Sequence, residues 1–73
     1  MATVAPVSFV EHIGETAGLV WRTLAEQGPM SMAQLVKAVG EPRDTVMQAL
    51  GWLAREDKLA IEGDERRRLV SLR

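Results

Sequence analysis

The chain holds 73 residues (8.0 kDa) with 47% hydrophobic and 26% charged side chains, a net charge of −1 and a pI near 5.7. A domain near this size buries only about 60% of the surface its unfolded chain exposes, so one thin core is expected, with little room for a deep catalytic cleft. The absence of cysteine excludes a disulfide framework and thiolate metal sites and fits a reducing cytoplasm, while no apolar run approaches the roughly 20 residues of a membrane span.

Met1 to Ser8 holds small residues and Pro6, which predicts a loose tail over residues 1–8 before a single domain over residues 9–73. The start, Met1 to Val10, lacks the basic and long apolar stretches of a signal peptide, so a cytoplasmic location is expected. The first helix is predicted from about Phe9 to Gln27. Ile13, Ala17, Val20 and Leu24 fall on one face, with Val10 and Trp21 beside it. Glu11, Glu15, Arg22 and Glu26 fall opposite. Gly28 tolerates the left-handed turn at a helix end, and Pro29 cannot continue the helix.

Met30 opens a short extended piece. Ser31 followed by Gln34 is a capping-box pattern, so a second helix is predicted over about Met32 to Val39, with Leu35, Val36 and Val39 inward and Gly40 as its stop. Gly40 to Arg43 forms a tight turn, in which Pro42 suits the first position of a new helix. The third helix is predicted over about Arg43 to Arg55. Val46, Ala49, Leu50 and Leu53 share its inner face, and Asp44, Gln48, Gly51 and Arg55 lie opposite.

After Asp57 the period becomes alternating. Leu59 and Ile61 point one way in Lys58 to Glu62. Gly63-Asp64-Glu65 is turn material, and Arg66 to Leu72 returns as a strand with Val70 and Leu72 on one parity. If Val70 and Leu72 face the core, parity requires a loop with an even number of residues or a bulge, and a four-residue loop would set Leu59 across from Val70. The resulting class is mainly α with a small antiparallel sheet, in the order α-β-α-α-β-β: a winged helix-turn-helix.

The segment Leu50-Gly51-Trp52-Leu53-Ala54-Arg55-Glu56-Asp57-Lys58, together with Ile13-Gly14-Glu15-Thr16-Ala17-Gly18, resembles a compact prokaryotic winged helix-turn-helix family catalogued as a domain of unknown function. The resemblance spans about Ile13 to Leu72. It implies the winged-helix fold and carries no function with it. One departure is Pro42, where the resemblance leads one to expect a capping serine or threonine.

The leading functional reading is duplex DNA binding in a transcription-associated module. The second helix of a helix-turn-helix enters the major groove with its N-terminal residues on base edges. Here those residues are Arg43, Asp44, Thr45, Met47 and Gln48. Arg43 suits guanine and Gln48 suits adenine. Lys37 and Arg55 suit phosphates, and the wing offers Arg66, Arg67 and Arg68. The charge balance opposes this reading: residues 37–73 carry eight Lys or Arg against seven Asp or Glu, whereas DNA affinity needs clustered cations. Strand alternation also splits the arginine triplet, so the plainer expectation is that these arginines balance Glu62, Asp64 and Glu65 on a solvated hairpin.

The alternative is a non-catalytic protein-interaction or homodimerisation module that does not bind DNA. It draws on Gly14, Gly18, Gly51 and Trp52. A mid-helix glycine costs about 1 kcal/mol relative to alanine, so Gly51 suggests close approach of another backbone or ring. Trp52 lies on the flank of its helix, about 110° from the centre of the core face at about 100° per residue. The plainer expectation is that it packs on the hairpin or first helix of its own chain. Gly14 and Gly18 make a small-residue groove, for which packing within the chain is expected ahead of a two-fold dimer. His12 has no ligand partners at recognisable spacing, so no metal site is expected. No nucleophile, base and orienter set is present in the pattern, nor a glycine-rich phosphate loop, so neither catalysis nor a cofactor is expected.

Overall fold

Apolar side chains at helical spacing draw three helices around one core in the computed structural model, which describes residues 5–73, with side chains from Phe9 onward. The order is α1 (Ala5–Gln27), β1 (Met30–Ser31), α2 (Met32–Val39), α3 (Arg43–Arg55), β2 (Leu59–Gly63) and β3 (Arg68–Leu72). The helix expected from Phe9 begins earlier, at Ala5. Pro6 sits in its first turn, where a missing N–H costs nothing. Residues 1–4 of the expected tail lie outside the described residues.

The core joins Ala17, Val20 and Leu24 of α1 to Leu35 of α2 and to Val46, Ala49, Leu50 and Leu53 of α3, closed by Met30, Leu59 and Val70. Val36 and Val39 pack against its edge. On α1, Ile13 is half-buried, and Val10 and Trp21 are exposed, so the buried stripe is narrower than its spacing suggests. Thr16 completes it instead. This side chain is fully buried, and its hydroxyl donates to the His12 carbonyl at 2.8 Å, which removes the penalty for an unpaired buried polar atom.

Both short helices have the predicted bounds. The Ser31 hydroxyl accepts from the Gln34 N–H at 3.1 Å, and the Gln34 side chain accepts from the Ser31 N–H at 3.0 Å. Gly40 ends α2 in the left-handed region at φ 79°. Pro42 is the residue before the first turn of α3 rather than its first member, and it supplies no side-chain cap. The Asp44 carboxylate, in that turn, accepts from the Thr45 N–H at 2.9 Å. The far end of α3 closes with two bonds, Asp57 N–H to the Ala54 carbonyl and Lys58 N–H to the Leu53 carbonyl, the pattern of a Schellman motif. Asp57 takes the left-handed position at φ 61°, a conformation aspartate tolerates better than most residues.

The sheet is three-stranded and antiparallel, in the order β1-β3-β2. Met30 pairs with Val70, so the short extended piece before α2 forms an edge of the wing sheet. In the hairpin Leu59 pairs with Leu72 and Ile61 with Val70. The expected partner of Leu59 was Val70. The register is displaced by two residues, and facing parity is kept. The cause lies at Gly63 and Asp64. Gly63 (φ 120°) brings its backbone so close to the Arg67 carbonyl that a Cβ would collide with it. The Asp64 N–H donates to that carbonyl at 3.1 Å. Its carboxylate accepts from the N–H groups of Arg66 (2.9 Å) and Arg67 (2.8 Å). The four-residue loop is therefore Asp64 to Arg67, one residue later than expected, and β3 starts at Arg68.

Candidate nucleic-acid interface

The loop shift changes where the arginines go. Arg66 and Arg67 belong to the turn, not to a strand, so alternation does not split the triplet. Arg66, Arg67 and Arg68 line one open cleft of about 640 Å³ between the wing and the start of α2. Arg43, the first residue of α3, lines it too, with Ser31, Met32 and Ala33 on the α2 side and Glu65 as its acid.

The ion pairs among the described residues are His12–Glu15, His12–Glu41, Lys58–Glu56 and Arg73–Asp57. Arg43, Arg66, Arg67 and Arg68 are in none of them. The hairpin is solvent-exposed as expected and Glu65 shares the cleft with the arginines, but they form no direct ion pair with its acids among the described residues. Asp64 is occupied with backbone amides, and no ion pair joins Glu62 or Glu65 to a guanidinium. The amides of Arg67 and then Arg66 hold the Asp64 carboxyl below its ordinary value, because they stabilise the charged form.

The remaining DNA candidates sit apart from the cleft. Gln48 and Arg55 are exposed on the outer face of α3, and Lys37 is exposed on the last turn of α2. Thr45 is half-buried. Met47 packs against the core edge.

Gly14 and Trp52 prove to be two halves of one contact. The Trp52 ring lies over Gly14, its Cη2 atom 3.4 Å from where a Cβ on that glycine would stand. Trp52 thus packs on α1 of its own chain, though it stays 38% exposed. Around it runs a shallow groove of about 250 Å³ lined by Gly14, Gly18, Trp21, Trp52 and Lys58, among others. Among the described residues outside its own stretch of helix, nothing comes within 4 Å of a Cβ built on Gly18 or Gly51, so neither glycine serves the close approach expected of it.

One tie went unseen in the sequence. His12 Nε2 lies 2.9 Å from Glu41 Oε1 and joins α1 to the turn between α2 and α3. The pairing depends on tertiary closure, and no local spacing announces it. Among the described residues no group of three or more His, Cys, Asp or Glu is placed to hold a metal ion. No helix there is long and apolar enough to cross a membrane.

Comparison with known proteins agrees with this architecture. The chain is 39% identical over 64 residues to the uncharacterized protein MJ1608 of Methanocaldococcus jannaschii, covering 84% of this chain and 90% of that protein. The solution structure of BT2368 from Bacteroides thetaiotaomicron superposes with a TM-score of 0.75 at 32% identity, over 85% of this chain and 76% of that one. BpsR of Bordetella bronchiseptica gives a TM-score of 0.75 at 23% identity, over 93% of this chain and 63% of that one, a likeness of fold. The model of the winged helix-turn-helix domain family DUF2582 matches residues 10–72, and the chain belongs to that family.

Proposed function

We propose that this domain is a non-enzymatic module that binds duplex DNA, with α3 in the major groove and the β2–β3 wing on the phosphate backbone. One observation carries the reading: Arg43, Arg66, Arg67 and Arg68 line a single open cleft and have no ion-pair partner among the described residues. Unpaired guanidiniums gathered in one place are what a phosphate backbone requires, because each neutralised phosphate releases condensed counterions. The net charge of −1 is a whole-chain sum and does not describe this face. BpsR, which shares the fold, is a protein whose DNA binding is regulated by 6-hydroxynicotinic acid. That likeness is consistent with the reading at the level of fold alone.

The test is fluorescence anisotropy of a labelled mixed-sequence duplex, titrated at low and then moderate salt. The wild type binds at low salt and weakens steeply as salt is added. Replacing Arg66, Arg67 and Arg68 by alanine weakens binding to every sequence and flattens the logarithmic salt slope by about 0.9 for each phosphate no longer neutralised. On a preferred site, Arg43→Ala and Gln48→Ala each relax base preference by about 1–3 kcal/mol. Absence of wild-type binding at low salt overturns the reading.

A second reading, self-association or protein binding through the α1–α3 groove, has its own support: Trp21 and Trp52 are 45% and 38% exposed and line the same groove. Tryptophan emission measured across a dilution series tests it. A concentration-dependent shift supports this reading, and a flat response counts against it.

A further inference from the structure

Four of the six glycines have a reason within the fold. Gly28, Gly40 and Gly63 have positive φ, and Gly14 seats the Trp52 ring. Gly51 has neither reason. It lies inside α3, outside the set of positive-φ residues, and a Cβ on it would meet open space. A glycine in an exposed helix interior weakens the helix, and among the described residues nothing compensates at Gly51, as nothing does at Gly18 on α1.

Its location is specific. At about 100° per residue, Asp44, Gln48, Gly51 and Arg55 share an arc of roughly 60°, opposite the buried Val46, Ala49, Leu50 and Leu53. Gly51 is therefore at the middle of the outer face of α3, with Gln48 one turn before it and Arg55 one turn after. On this arc Asp44 offsets Arg55, and the cationic surplus comes from beside it, where Arg43 and the wing arginines, in no ion pair among the described residues, line the cleft at the start of the same helix. A helix with its side chains is about as wide as the major groove, roughly 10–12 Å against 12 Å. A bare patch at mid-helix lets the groove wall reach the helix backbone.

Resting on the DNA-binding reading above, we propose that Gly51 is the point of closest approach between α3 and duplex DNA, and that its missing side chain sets the depth at which the helix seats. Gly51 then belongs to the nucleic-acid face, while Gly14, Gly18 and Trp52 stay with the α1–α3 groove.

The experiment pairs thermal melting with duplex anisotropy for the wild type, Gly51→Ala, Gly51→Leu and the control Gly18→Ala. Both alanine variants melt at or above the wild-type temperature, because each adds helix propensity in open space. Gly18→Ala keeps wild-type affinity. Gly51→Ala loses about tenfold or more, equivalent to about 1.4 kcal/mol, and Gly51→Leu loses more. Backbone amide shifts of the unmodified protein give an independent readout, with Gln48, Gly51 and Arg55 moving together when duplex is added. Wild-type binding that Gly51→Ala leaves unchanged, or an unmoved Gly51 amide, overturns the proposal while the DNA reading stands. A wild type that does not bind DNA removes both.

Discussion

The wing-side cleft and the α1–α3 seam both contain residues that look unusual in the sequence, and the fold treats them oppositely. At the seam, Gly14 and Trp52 satisfy each other: the ring fills the space the missing side chain leaves. At the cleft, Arg43 and Arg66 to Arg68 are gathered without ion-pair partners among the described residues, and the neighbouring Asp64 is engaged by backbone amides that hold the loop. An oddity answered within the chain is explained by packing. One left unanswered at the surface points to a partner. The same distinction separates Gly14 from Gly51.

The contrast is sharpest at Gly63, where the cleft depends on backbone geometry. Gly63→Ala forces a residue with a side chain to φ 120° and drives its Cβ into the Arg67 carbonyl. A stability loss of about 3 kcal/mol is expected, the upper end for a strained backbone position, and the hairpin register must change to relieve it. Denaturant melts together with cross-strand NOEs between Ile61 and Val70 check this. Retention of both native stability and that pairing would break the account of the loop.

A smaller effect is expected at the seam. Gly14→Leu has no room beneath the Trp52 ring and costs about 1–3 kcal/mol through overpacking. Made in a Trp21→Phe background, it shifts the Trp52 emission to the red as the ring lifts into water, while the wing amides keep their positions. Unchanged emission would show that the ring does not rest on Gly14.

The smallest expected effect concerns acid. The folded pKa of Asp64 is lowered by the Arg67 and Arg66 amides. Its contribution to the turn is therefore present above the unfolded value of 3.8 and is lost as pH falls through the lowered folded value. Amide shifts of Arg66 and Arg67 followed through an acid titration report this midpoint. A midpoint at or above 3.8 contradicts the hydrogen bonds assigned to the loop.

Much of the fold was legible because its signals are local. Ser31 with Gln34 predicts the start of α2, and Gly40 predicts its end. The apolar spacing of Val46, Ala49, Leu50 and Leu53 predicts α3 and its buried face, since a helix repeats every 3.6 residues whatever surrounds it. The chain's own pattern was less informative at α1, where Thr16 takes a core place that hydrophobicity alone would not assign. The register of the hairpin also escaped, because turn composition allows several even loops and only the geometry at Gly63 and Asp64 chooses among them.

By itself, then, the sequence determined α2 with both its caps, the bounds of α3, the end of α1, the presence of a wing and the family to which the chain belongs, all through short-range spacing or motif. Tertiary structure decided what is gathered. It brought Met30 to Val70, His12 to Glu41, Trp52 to Gly14, and Arg43 to the same cleft as the wing arginines. These meetings join residues far apart along the chain, and closure of the core and of the loop at Asp64 sets them, where no local period reaches.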